Sequence, residues 1–79
     1  MDVRSKIGNR IKVLREGKGM SQKDLAYSSD LDRSYIASVE SGQRNISSVN
    51  IEKIATALGV SLKDFFNYKY FENIPTDKI

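Results

Sequence analysis

Nine residues between Gln22 and Asn45 have the types and spacing to grip a polyanion and read its bases. Arg33 is the centre of the set, because a guanidinium can form two parallel hydrogen bonds to guanine O6 and N7. Ser34 can bond several bases, and Ala37 can touch a thymine methyl. On a helix, Arg33, Ala37 and Ser41 lie one turn apart, and so do Ser34 and Ser38. Small side chains on such a face let the backbone sink toward the floor of a groove, whereas an ordinary exposed face carries more Lys and Glu. Gln43, Arg44 and Asn45 follow and suit phosphate clamps that set register; for Gln43 a plain polar loop is the equal alternative. Gln22 opens the preceding helix, where its amide and the free N–H groups can hold a phosphate oxygen. Tyr35 is read either as core or in a mixed role, with its ring packed and its hydroxyl at a phosphate.

Other chemistry is poorly supplied. The 79 residues contain no Cys, His or Trp. That removes the thiolate ligand, the disulfide and the commonest general base. No paired carboxylates, metal cluster, nucleophile–base set or phosphate-binding glycine loop is present, so neither an enzyme nor a cofactor or metal is expected. There is no apolar run of membrane-spanning length, no signal peptide is expected, and the lack of Cys fits a reducing cytoplasm. Residues 1–46 carry nine Lys/Arg against six Asp/Glu, while residues 47–79 carry four of each, within a net charge of +3. The first part suits a polyanion and the second a protein partner.

Four cap signals position these residues. Met20-Ser21-x-x-Asp24-Leu25 and Val60-Ser61-x-x-Asp64-Phe65 combine a serine cap, an acid and an apolar staple. Leu31-Asp32-x-x-x-Ile36 and Ile46-Ser47-x-x-x-Ile51 keep cap and staple. With an earlier helix at about Ser5–Gly17, striped by Ile7, Ile11 and Leu14, they predict five helices. The others span about Gln22–Ser28, Arg33–Ser41 and Ser48–Leu58, and a fifth starts at Leu62 and reaches toward Tyr70. Leu25, Ala26, Ile36, Val39, Ile51, Ile54, Ala55 and Leu58 are the expected inner residues. No stretch alternates as a strand does. The expected fold is all-α, a compact five-helix bundle containing a helix-turn-helix, in one domain over 1–79 with a frayed tail at about 72–79. The short 29–32 turn makes the second and third helices cross steeply.

Two further expectations concern packing. Glu40 follows Ile36 by four residues and points partly inward, so its carboxylate needs a partner, and Arg15 is the candidate. Phe65, Phe66, Tyr68, Tyr70 and Phe71 cannot all enter one small core. They either cap the end of the bundle or form a partner surface, with Val49, Leu62 and Phe66 as the interface of a homodimer. Two-fold symmetry would set two reading helices ~34 Å apart over a palindromic double-stranded DNA site.

The run IGNRIKVLREGKGMSQKDLA, then SYIASVESGQRNIS and IEKIATALGVSLKDFF, resembles the lambda/434 repressor-like (XRE-type) helix-turn-helix family. Within it, LDRSYIASVESGQRNIS resembles the controller proteins of restriction–modification systems. The resemblance implies a homodimeric transcription regulator that binds paired operators, activating at low concentration and repressing at high. It implies base and phosphate contacts for Arg33, Ser34 and Tyr35, further contacts for Gln22, Arg44 and Asn45, an internal pair of Arg15 with Glu40, and a dimerisation side on the last two helices. Activation would require contact with RNA polymerase. Prophage or mobile-element repressors and antitoxin-type regulators share these motifs, and an interaction module without DNA binding is a further alternative. Asp30 stands where the family's turn usually has glycine, so a left-handed aspartate is expected there.

Overall fold

The computed structural model describes residues 2–72. Five α-helices follow one another: α1 (Val3–Gly17), α2 (Gln22–Ser29), α3 (Arg33–Glu40), α4 (Ser48–Ala57) and α5 (Leu62–Phe65). One 3-10 turn, Lys69–Phe71, comes after them, and there is no strand among the described residues. Of the tail expected to fray, 73–79 lie outside the described residues.

The serine caps close as their spacing requires. Ser21, Ser47 and Ser61 accept from the N–H groups of Asp24, Asn50 and Asp64 at 3.0, 3.1 and 3.0 Å. The Asp24 carboxylate returns the bond to the Ser21 N–H at 2.9 Å, which satisfies two otherwise orphaned donors. Three expectations need correction. Asp32 has the extended backbone of a cap, yet its carboxylate makes no capping bond. The first helix starts before Ser5, because Asp2 caps it by accepting from the Ser5 N–H at 3.1 Å. The last helix stops at Phe65 rather than running toward Tyr70. There the Arg10 guanidinium donates to the carbonyls of Phe65 and Asp64, closing the helix end from a distant part of the chain.

The turn between α2 and α3 is made by Asp30, at φ 58° and ψ 45°. A side chain in this left-handed region costs roughly 1 kcal/mol, and aspartate tolerates it better than most. In return the Leu31 N–H reaches the Ala26 carbonyl at 3.0 Å and ends α2 cleanly.

One apolar cluster joins all five helices. Ile7 and Ile11 of α1 meet Leu25 and Ala26 of α2, Ile36 and Val39 of α3, Ile51, Ile54 and Ala55 of α4, then Leu58 and Phe65. Leu14 is only partly buried against it. α1 and α3 approach so closely that a Cβ on Gly8 would run into the carbonyl oxygens of Val39 and Glu40, the latter at 2.8 Å. The two helices are also joined by charge. Arg15 Nε and Nη2 donate to the two carboxylate oxygens of Glu40 at 2.7 and 3.0 Å, and Arg15 Nη1 donates to the Met20 carbonyl at 2.7 Å. The side chains are 9% and 3% exposed. Hydrogen bonding to Glu40 raises the Arg15 pKa further, against the opposing effect of burial. Removing one partner of such a pair costs about 3–5 kcal/mol, because the other charge is left buried alone. This pair therefore fixes where α3 sits on α1.

Candidate nucleic-acid interface

Helix α3 buries Ile36 and Val39, so its opposite face is presented outward. Arg33 and Ser34 are exposed in its first turn. Arg33 takes part in neither ion pair formed among the described residues. Its guanidinium thus keeps its full fork of donors for an external acceptor. Ala37 is half-buried one turn on and adds no bulk above the backbone. Ser38 donates to the Ser34 carbonyl at 2.9 Å, and Ser41 to the Ser38 carbonyl at 3.0 Å. The Ser38 proton is thereby engaged within the helix, which leaves its oxygen only the role of an acceptor toward any further group.

Tyr35 has the mixed position. Its ring packs on the core, and its hydroxyl oxygen accepts from Asn50 Nδ2 at 3.0 Å. The phenolic proton stays available to an outside acceptor. Arg44 lies over the same ring, with Cζ 5.0 Å from the centroid. This cation–π contact holds a loop arginine beside the first turn of α3. Gln43, Arg44 and Asn45 are all exposed in the loop that follows.

Gln22 is placed differently from its expected phosphate role. Its amide nitrogen donates to Glu40 Oε1 at 3.2 Å, so this part of the side chain serves the buried ion pair. Gln22 therefore links α2 to the base of α3, and what remains to face outward is its carbonyl and the open helix end.

Asn50 and Arg10 were not legible in the sequence. Asn50 looks like an ordinary first-turn polar residue, and only the folding of α4 beside α3 brings it to Tyr35, fifteen positions away. Arg10 looks like one more cation of α1, and its partners lie 54 and 55 positions away. Its spacing of three residues from Ile7 and four from Leu14, beside the apolar stripe of α1, is the hint that the sequence holds.

Val49, Leu62 and Phe66 are 63%, 41% and 38% exposed. Leu62 and Phe66 are one turn apart at α5, and Val49 is in the first turn of α4. Among the described residues no helix is long and apolar enough to cross a membrane, and no group of three His, Cys, Asp or Glu could hold a metal.

The chain as a whole has relatives among known proteins. The helix-turn-helix family matches residues 11–65, from α1 to the end of α5. The control protein C.MunI of a Mycoplasma species is 45% identical over 67 residues, covering 84% of this chain and 90% of that protein. The crystal structure of the restriction-modification controller protein C.AhdI from Aeromonas hydrophila is similar with a TM-score of 0.77 and 52% identity, over 80% of this chain and 96% of that one. The controller C.Esp1396I, a tetramer in complex with its natural 35 base-pair operator, is similar with a TM-score of 0.79 and 44% identity, over 84% of this chain and 87% of that one.

Proposed function

The chain belongs to the helix-turn-helix family, and on that premise we propose that it is a sequence-specific regulator of transcription of the restriction–modification controller type. The observation that carries this reading is the first turn of α3. There an arginine with no ion-pair partner among the described residues stands on a small-residue face, beside a tyrosine held by Asn50 and a loop arginine held by that tyrosine. Arg33 reads a guanine, Ser34 a neighbouring base, and Ala37 and Ser38 line the groove floor. Tyr35, Gln43, Arg44, Asn45 and the amino end of α2 at Gln22 hold phosphates and set the register.

Val49, Leu62 and Phe66 join two copies, and the dimer lays two α3 helices into successive major grooves of a palindromic operator. Two such operators side by side would give a tetramer, the state in which C.Esp1396I occupies its operator. The chain acts in the cytoplasm on its own promoter and that of an endonuclease. It activates at low dose through contact with RNA polymerase and represses at high dose. The single domain carries no catalytic step.

Competition gel shifts test this reading. The protein should bind DNA from upstream of its own gene at least about a thousandfold more tightly than shuffled DNA of the same composition. Equal affinity for both would refute sequence-specific regulation at that promoter.

A further inference from the structure

Two neighbouring residues of α1 hold the aromatic segment that follows α5. Arg10 Nε donates to the Phe65 carbonyl at 2.7 Å, and Arg10 Nη2 donates to the Asp64 carbonyl at 2.8 Å. The Arg10 Cζ lies 5.1 Å from the Tyr68 ring centroid. Beside it, the Tyr70 hydroxyl donates to Asn9 Oδ1 at 3.1 Å. The rings themselves form a chain. Phe65 meets Phe66 at 4.9 Å between centroids, Phe66 meets Phe71 at 5.1 Å, Phe71 meets Tyr70 at 5.0 Å and Tyr70 meets Tyr68 at 4.5 Å. Arg10 touches both ends of that chain, at the Phe65 backbone and the Tyr68 face.

This arrangement has a physical consequence. A helix of four residues cannot hold its own last turn, since nearly all its carbonyls lack partners within it. Bonds from a guanidinium are charge-assisted and stronger than neutral ones. Phe66 is the residue that ends this helix, and it is exposed one turn after the exposed Leu62. We infer that Arg10 is a positioning residue for self-association: by clasping the end of α5 and the Tyr68 ring, it holds Phe66 in the orientation in which a second copy of this chain meets it. This inference rests on the dimer reading above. It makes a side chain of α1 that reads no DNA a determinant of operator occupancy, because a controller must dimerise before it fills a two-fold site. The reading face is built separately, on α2, α3 and the Arg15–Glu40 pair, and does not pass through Arg10.

The test compares full-length Arg10→Met, Phe66→Ala, the double variant and Phe66→Glu by sedimentation equilibrium, with circular dichroism to fix the folded fraction. Arg10→Met should weaken the dimer by at least about tenfold while the monomer stays helical. Added to Phe66→Ala it should weaken the dimer no further, although it should lower the thermal midpoint in both backgrounds, since only the first effect travels through Phe66. A folded Arg10→Met protein with the native dimer constant overturns the positioning role, and so does a full extra loss in the Phe66→Ala background. Should Arg10→Met fail to fold, Tyr68→Leu removes the ring face alone and is judged by the same criteria. If Phe66→Glu itself remains dimeric, the dimer surface is elsewhere and the underlying reading fails with it.

Discussion

Arg33 differs from the other arginines whose contacts are described. Arg15 is consumed by Glu40, Arg10 by two carbonyls and a ring, and Arg44 lies over Tyr35, whereas Arg33 is exposed at the start of α3 with no ion-pair partner among the described residues. A guanidinium left free on a small-residue face is suited to guanine, and a good bidentate contact is worth about 1–3 kcal/mol of discrimination. Arg33→Ala should therefore lose that much selectivity at one base pair per half-site, measured by competition with single-base operator variants, while binding to unrelated DNA changes little. Unchanged discrimination at every position would remove Arg33 from base reading. At this scale the spacing of side chains made the outward face of α3 and the Arg15–Glu40 partnership legible. The direction of hydrogen bonds was not legible. That Gln22 serves Glu40 and that Tyr35 accepts from Asn50 depend on where α2 and α4 lie against α3.

At the scale of elements, helix starts were readable because a cap is a local chemical event. Ser21, Ser47 and Ser61 each bind a backbone N–H three residues on, as their spacing implies. Asp32 has the extended backbone of a cap without its side-chain bond, and α5 ends at Phe65, where a distant arginine holds its last carbonyls. Ends decided by tertiary contact leave no local signal. The capping box of α2 makes a pH prediction. Bonds from the Ser21 N–H and then the Ser21 hydroxyl hold the Asp24 carboxyl below its ordinary value of 3.8. A depressed folded pKa contributes stability above the ordinary value, and that contribution is lost as pH falls through the folded one. The stability difference between the native chain and Asp24→Ala, from urea unfolding, should accordingly shrink from about pH 5 to about pH 2. A constant difference across that range would contradict the assignment. Gly8 sets the other constraint, since α1 and α3 touch backbone to backbone there. Gly8→Ala should cost about 1–3 kcal/mol in chemical denaturation and weaken specific binding, because α3 must move. Wild-type stability would mean that the helices separate at no cost.

The whole molecule divides into two working faces around one core. In the proposed function, the face of α2, α3 and the following loop meets DNA, and the exposed apolar residues of α4 and α5 meet a second copy. Val49, Leu62 and Phe66 are exposed apolar side chains of the kind that suits a partner surface. A charge at its aromatic centre should be enough to break it. Phe66→Glu should sediment as a folded monomer and lose most operator affinity, because one half-site supplies only part of the contacts. A persistent dimer would move the interface. Fold class and helix order were legible at this scale because five apolar stripes with short connections admit few packings. The route by which the aromatic segment returns to Asn9 and Arg10 was not, since nothing local records a contact made across 55 or 61 positions.

The central claim, a dimer reading a two-fold operator through α3, is tested most directly by a DNase footprint titration on DNA upstream of this gene, in moderate salt with competitor DNA. Two dyad-related protected segments, filling in order as protein concentration rises and shrinking together for Arg33→Ala, are the predicted result. Weak, uniform protection that fades with salt and is indifferent to Arg33 would contradict it.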